Sequence, residues 1–199
     1  MARLALNKAS LTKLNRQLKA YQDVLPSLDL KRRQLLGEQA KAKQVQRAIK
    51  QQLEALEPLI ASDLLMLSNR EVDLTDIVEV VGVDVIEENV MGTRLPKLNQ
   101  VDIQVRAYAL LGRPHWVERS VEVIKTAVEL RLQLQVADRR RELLGQAVRK
   151  ITQRVNLFDK VLIPQAQADI KKIQIYLSDA ERAAVVNSKI AKRKKGAVA

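Results

Sequence analysis

Apolar residues recur every three or four positions along the first third of the chain, at Leu11, Leu14, Leu18, Tyr21, Leu25 and Leu28. Such spacing is the a/d pattern of a coiled coil, in which one apolar seam faces a partner helix. The same frame continues beyond these residues but holds polar residues at Arg32, Gln39 and Gln46. We therefore predict a helix over residues 1–69 whose seam is weakest in its middle third.

Two local features modify this first helix. Ser10 follows a short polar stretch, and serine is a favourable N-cap, so we predict that the helix starts there. Pro26 lies inside the apolar pattern and lacks a backbone N–H, so we expect a kink or a local break at this residue.

Residues 70–113 follow a different period. Val81, Val83 and Val85 alternate with other residues, and Val101, Ile103 and Val105 repeat the pattern. Alternating β-branched residues indicate strands. Turn-forming residues lie between the two runs, over 91–96, so we predict a β-hairpin whose loop is longer than two residues.

Residues 114–199 return to the helical period. The frame is carried by Leu144, Val148, Ile151, Val155, Phe158 and Leu162, and it continues through Ala166, Ile170 and Ile173. We place Pro114 in the first turn of this helix. Around Pro164, from Phe158 to Ile170, the apolar residues follow one another at intervals of four. This spacing departs from the heptad and predicts a local change in the supercoil.

The predicted fold class is mainly α, with three segments at 1–69, 70–113 and 114–199, the last of which ends in a basic tail that includes Lys189, Lys192 and Arg193. The two helical arms should pack antiparallel as a two-helix coiled coil, with the middle segment and its hairpin between them. The apolar seams also allow an alternative, in which each arm packs against another protein chain.

Composition excludes several kinds of chemistry. The chain has no cysteine and one histidine, which leaves no thiolate nucleophile, zinc finger or two-histidine metal site. Its six glycines do not form a nucleotide-binding loop. His115 beside Trp116 is interpreted as a capping or packing pair. Glu87 and Glu88 are adjacent in a predicted strand or turn and should point to opposite faces, so they make a poor acid–base pair. We expect no enzyme activity, no cofactor and no metal.

No apolar run is long enough to span a membrane, and residues 1–25 carry charge throughout, unlike a signal peptide. We therefore expect a cytoplasmic protein without direct membrane insertion.

Charge is distributed unevenly along the chain. The middle segment has a net charge of −3, which leaves +15 on the two arms of a chain whose total is +12. Two basic triplets, 31–33 and 139–141, fit either solvated helix faces or contacts with an acidic partner. Aromatic residues are 3% of the chain and scattered, so the stacking platforms of single-strand binders are missing and nucleic acid is not an expected partner.

Three sequence blocks resemble the D subunit of the V-type and archaeal A-type rotary ATPases. Lys31, Arg32 and Arg33 lie in a block similar to the family's N-terminal L-L-K-x-K-R-D-x-L motif. Arg154-Val155-Asn156, followed by Ile163-Pro164, resembles its R-V-N-x-L-E…I-P signature. Residues 177–192 are similar to its L-x-E-x-E-R…K-x-x-K ending.

The resemblance implies a non-catalytic rotor shaft that transmits torque between an ATP-hydrolysing hexamer and an ion-translocating membrane ring. The implied partners are the A and B subunits of the hexamer, the F subunit and a membrane-side stalk subunit, with no small-molecule substrate. The location is cytoplasmic and peripheral to the cell membrane. The predicted partner-binding residues are Lys31, Arg32, Arg33, Arg154, Asn156, Glu181, Arg182, Lys189 and Lys192.

The polar seam positions Arg32, Gln39 and Gln46 are interpreted as points where the helices splay to admit another protein of the complex. A different function class stays open beside the rotor: a coiled-coil binding module, either a prefoldin-like chaperone arm or a basic nucleic-acid tether. The tether would show a steep salt dependence of nucleic-acid binding.

Overall fold

The computed structural model describes residues 5–63, 77–106 and 116–196. Their elements run in the order helix α1 (Lys8–Asp63), strand β1 (Val78–Val90), strand β2 (Thr93–Val105), helix α2 (Trp116–Leu157), a π-helical turn (Phe158–Leu162) and helix α3 (Ile163–Gly196). Two long helical stretches thus flank one antiparallel hairpin, which confirms the predicted fold class. Pro114 and the predicted helix over 64–69 lie outside the described residues.

Helix α1 begins two residues earlier than its predicted cap. The side-chain oxygen of Asn7 accepts the backbone N–H of Ser10 at 2.7 Å. Asn7 is therefore the N-cap and Ser10 lies in the first turn, so the assignment of Ser10 was wrong. The helix continues through Pro26 without the local break that was considered there. Ser27 donates its hydroxyl to the carbonyl of Val24, one turn earlier, at 2.8 Å.

Internal contacts divide the chain into two units, of which the first comprises Met1–Arg32 together with Lys150–Ala199. In this unit the ring of Tyr21 meets that of Phe158 edge to face, with centroids 5.4 Å apart. Lys8 pairs with Glu181 at 3.5 Å. Since the earlier residue of α1 meets the later residue of the C-terminal stretch, the two segments are antiparallel. The buried apolar residues of the C-terminal stretch are Ile151, Val155, Ala166, Ile170 and Ile173.

The second unit is Arg33–Arg149. Here Gln46 donates a hydrogen bond to Asp138, and a Cβ built on Gly145 would lie 3.4 Å from the side-chain nitrogen of Gln39. These pairs again run antiparallel, so α1 packs against α2 within this unit. Leu35, Ala42 and Leu144 are buried. The helices therefore remain in contact at Gln39 and Gln46, and the interpretation that they splay there was wrong.

A π-helical turn accounts for the irregular spacing around Pro164. The backbone N–H of Ile163 bonds to the carbonyl of Phe158, five residues earlier, instead of four. The turn lies within the first of the three successive four-residue intervals, between Phe158 and Leu162, and it accommodates one additional residue there. The widened turn lies directly before Pro164, whose missing N–H would in any case interrupt the ladder.

The hairpin closes with a tighter turn than the sequence suggested. Val90 pairs with Thr93, which leaves Met91 and Gly92 as a two-residue turn. Both have positive φ, 52° and 78°, as a type I′ turn requires. Asn89 accepts the N–H of Gly92 through its side chain at 2.9 Å. The predicted longer loop over 91–96 was therefore wrong.

Pro96, which suggested a loop, lies within β2 opposite Glu87. Counted from the closing pair, this is a position without cross-strand hydrogen bonds. The absence of an N–H at proline removes no bond from the ladder there, so the strand continues through it.

Candidate functional site

The three members of the basic triplet of α1 differ in exposure. Lys31 and Arg33 are exposed, whereas Arg32 is partly buried and pairs with Asp29 one turn earlier at 2.5 Å. Leu35, on the seam side, is fully buried. The exposed Lys31 and Arg33 therefore lie on the outer surface of the helix, where a partner could reach them.

At the end of α2, apolar residues are buried and polar residues of the predicted set are exposed. Ile151 and Val155 are buried, whereas Arg154 and Asn156 are exposed. Arg154 lies in the last turn of α2, just before the π-helical turn. These two polar side chains are therefore directed away from the packed face of the helix.

The third group of predicted residues lies on α3. Glu181 pairs with Lys8, the first residue of α1, and Arg182 pairs with Asp179 at 3.9 Å. Lys189 and Lys192 are exposed, as is every side chain described from Asp179 to Lys194. The segment 182–196 therefore continues beyond the level at which α1 begins. We call this segment the C-terminal extension.

The C-terminal extension carries both apolar and basic side chains on its surface. Val185, Val186 and Ile190 are 56%, 53% and 48% exposed. Lys189, Lys192 and Arg193 lie beside them and line the same shallow grooves. Exposed apolar residues framed by one sign of charge are typical of a protein-binding surface. Of the nine predicted residues, Glu181, Arg182, Lys189 and Lys192 share the exposed end of α3.

Sequence reasoning missed the polar contacts in the seam. Gln46 is buried and bonds to Asp138, and Gln39 lies over Gly145. A signal was available, because Gln39 and Gln46 are one heptad apart on α1, and Asp138 and Gly145 are one heptad apart on α2. Polar positions at matching intervals can pair across an antiparallel seam and fix its register.

The second basic triplet fastens the hairpin to the helices. Arg140 donates to Glu88 of β1 at 2.9 Å, whereas Arg139 pairs with Glu142 of its own helix at 2.7 Å. Glu87 lies on the opposite face of β1 and pairs with Arg94 at 3.7 Å. The expectation that Glu87 and Glu88 point apart is confirmed.

A small apolar core joins the start of α2 to the base of the hairpin. Ile77, Val117 and Val121 are buried together, and Val78 and Trp116 pack against them. The packing interpretation of Trp116 is confirmed, while His115 lies outside the described residues. Arg106 donates its backbone N–H to the carbonyl of Ile77 at 2.9 Å, which holds the two ends of the hairpin together.

Within the described ranges, no three potential metal-ligating side chains converge. In the same ranges, no helix has both the length and the apolar character needed to cross a membrane.

Comparison with known proteins identifies the family. Residues 10–193 match the family model that describes the D subunit of ATP synthase. A protein of Borreliella burgdorferi, named as the D subunit of a V-type ATP synthase, is 33% identical over 96% of this chain and 95% of its own length. A protein of the same name from Chlamydia pneumoniae is 30% identical, with 95% of this chain and 91% of the relative covered. Because the match spans the helices and the hairpin alike, the chain belongs to the family of ATP synthase D subunits.

Proposed function

We propose that this protein is the non-catalytic central rotor shaft of a V-type ATP synthase. In this role it transmits torque between a hexamer of A and B subunits and the ion-translocating ring in the membrane. The proposal rests on family membership and on one observation, the continuation of α3 as the exposed C-terminal extension beyond the start of α1. The family supports a role in ATP synthesis and ion transport, which favours a rotor over a prefoldin-like arm or a nucleic-acid tether.

The packing of the helices supports the proposal that the protein transmits force along its length. In each unit two helical segments run antiparallel and share buried apolar residues. Paired helices resist bending and twisting better than a single helix, because each restrains the other along the seam. The buried Gln46–Asp138 pair opposes slippage of one helix past the other, since sliding would leave a polar group unpaired in the seam.

The surface charges of the helices support the proposal that the protein turns inside a ring of other subunits. Many surface charges pair one turn away within their own helix, as Lys41 does with Glu38 and Arg139 with Glu142. Ion pairs that are formed within one helix need no fixed partner on a surrounding ring, so these charges favour no single angle of the shaft.

The proposed partners follow from this arrangement. The C-terminal extension enters the bore of the hexamer of A and B subunits. ATP is bound, and hydrolysed or made, by the subunits of that hexamer. The F subunit and a membrane-side stalk protein contact the remaining length. The shaft itself binds no substrate or cofactor, and it lies at the cytoplasmic side of the membrane as part of the complex.

The test removes or alters the C-terminal extension in the complete complex. A chain ending at Glu181 should retain its paired helices, because the residues beyond that point are exposed and contribute little to packing. The complex built with it should lose ATP-driven ion transport, or should fail to assemble. Circular dichroism of the purified chain, recovery of the A and B subunits, and ion transport in vesicles measure these outcomes.

A charge-matched control separates the effect of changing the surface of the C-terminal extension from the effect of lowering the net charge. The triple variant R182Q/K189Q/K192Q should weaken coupling, whereas K43Q/K50Q/K125Q removes the same charge at other exposed sites and should not. Normal coupling by the truncated chain would overturn the rotor proposal. ATP hydrolysis by the isolated chain would contradict its non-catalytic role.

A further inference from the structure

Helix α1 carries an irregularity close to the place where it meets the π-helical turn. Pro26 lies in the interior of α1 and has no N–H, so the carbonyl of Gln22, four residues earlier, lacks its ordinary donor. The rings of Tyr21 and Phe158 meet at the start of the π-helical turn, which places α1 beside it. Pro26 follows Tyr21 by five residues, or about 7.5 Å along the helix axis. The two irregular stretches are therefore neighbours across the seam.

A second proline removes further hydrogen bonds from the C-terminal stretch. Pro164 directly follows the π-helical turn, and it cannot donate to the carbonyl of Lys160, four residues earlier, or to that of Asp159, five residues earlier. The N–H of Ile163 bonds to Phe158, so Asp159 does not receive that donor either. Sharp kinks in helices occur at prolines and at π-bulges. Both helices therefore have a site of easy bending at this level.

The packing between the helices is sparse at the same level. In the C-terminal stretch, residues 156–165 are all exposed or half-buried, whereas buried residues recur every three to seven positions on either side. On α1, residues 5–32 are likewise exposed or half-buried. A segment with few buried apolar contacts opens at a lower free energy than its surroundings.

One aromatic pair joins the helices where the buried residues are missing. Tyr21 and Phe158 meet edge to face, with centroids 5.4 Å apart and ring planes at 88°. Aromatic pairs remain favourable over centroid distances of about 4.5–7 Å, so the two rings can shift against each other without separating. The pair can therefore serve as a pivot, which keeps the helices together while their direction changes.

We propose that residues 21–26 of α1 and residues 158–164 of the C-terminal stretch form a bending joint in the paired helices. We call this level the joint. Both helices bend there together, while the seam stays packed at Val155 on one side and at Ala166 on the other. The joint lets the end of the pair that carries the C-terminal extension change direction without unfolding. The inference goes beyond the rotor role, because it concerns a property that the isolated chain already has.

Native-state hydrogen exchange of the full-length chain locates the joint. After correction for intrinsic rates, the amides of Leu28 and Ile163 should exchange at least tenfold faster than those of Ile151 and Ile170, which lie on the two sides of the joint. Slow exchange on both sides distinguishes a joint from fraying, because fraying from the end of α3 would lower protection steadily towards that end. A steady decline from Ile151 to Ile170 would overturn the inference.

A change on one helix should alter exchange on the other. P26A restores the missing donor of α1 and should slow the exchange of the Ile163 amide at least threefold, although Ile163 lies on the opposite helix. The matched control is P58A, which removes another proline of α1 far from the joint and should leave the rate at Ile163 unchanged. An unchanged rate at Ile163 in P26A would overturn the inference, since the two helices would then open independently.

Residual dipolar couplings of the backbone N–H bonds measure the bending itself. In a straight and rigid pair, residues 150–157 and 166–177 share one axis and should show the same degree of alignment. Bending at the joint should make the alignment of the two segments differ, and deletion of Val161 combined with P164A should reduce the difference by converting the π-helical turn to α-helix. Equal alignment of the two segments in the unaltered chain would overturn the inference, whether or not the deletion variant folds.

The rotor proposal is judged separately in the complex, by the truncation at Glu181 and by the recovery of A- and B-type subunits. A chain that bends at the joint but recovers neither subunit would retain the joint and reject the rotor. A chain that is rigid at this level but recovers both would reject the joint and retain the rotor.

Discussion

Two helical glycines in the second unit provide a direct test of the packing between α1 and α2. Gly37 has no atom within 4 Å of a built Cβ, whereas the Cβ at Gly145 would lie 3.4 Å from the side-chain nitrogen of Gln39. Alanine is more favourable than glycine in a helix interior by about 0.8–1.0 kcal/mol. Gly37→Ala should therefore stabilise the protein by about 1 kcal/mol, because nothing opposes the gain.

Gly145→Ala should gain a similar amount, but its methyl group would touch the end of Gln39, so the size of the gain should depend on Gln39. Equilibrium urea unfolding followed by far-ultraviolet circular dichroism measures both values, and the thermal midpoint should rise by about 2–4 °C per kcal/mol. Combining Gly145→Ala with Gln39→Ala in a double-mutant cycle isolates the contact between the two positions.

A destabilising Gly37→Ala would refute the description of its surroundings as open. The absence of coupling between positions 145 and 39 would refute the contact between Gln39 and α2. In that case the seam would be wider at this level than the structure shows.

Three further predictions concern packing, the turn and the hairpin contact. Leu144→Ala removes a side chain with no exposure and should cost about 2–5 kcal/mol in urea unfolding, whereas Leu36→Ala, at a 44% exposed site, should change stability by less than about 0.5 kcal/mol. Met91→Asn should slow hydrogen exchange of the hairpin amides by a few-fold, because asparagine tolerates positive φ better than methionine; faster exchange would contradict the turn assignment. The partly exposed Arg140–Glu88 pair should show a coupling of at most about 1 kcal/mol in a double-mutant cycle of hairpin exchange, and the coupling should shrink in high salt.

The helices were predictable because their signal is repeated many times. Each turn of α1 supplies another apolar residue in the same frame, so the pattern survives polar substitutions such as Gln39. The antiparallel arrangement followed from two such arms joined by a short middle segment. The sequence pattern did not predict which residues of the two helices contact each other. The hydrogen bond between Gln46 and Asp138, for example, depends on the relative register of two segments that are distant in the sequence.

The errors arose where a single residue decides the structure. Asn7 and Ser10 are comparable caps, and the choice depends on which one starts the first turn. The hairpin turn depended on Met91 adopting a positive φ that methionine rarely adopts, while Pro96 suggested a loop. The motif resemblance pointed to residues of the C-terminal extension, but it did not show that this segment is exposed. The exposure follows from the pairing of Lys8, the first residue of α1, with Glu181, because the later residues of α3 lie beyond the start of α1.

The π-helical turn at Phe158–Leu162 also bears on how such a chain changes in evolution. A gain or loss of one residue within a long coiled-coil arm would ordinarily rotate all later side chains by about 100° and remove them from the seam. A turn that accommodates the additional residue locally spares Ala166, Ile170 and every inward position after them. Length variation among relatives should therefore concentrate at this turn, and sequence alignments that open a one-residue gap there will keep both flanking heptad frames in register.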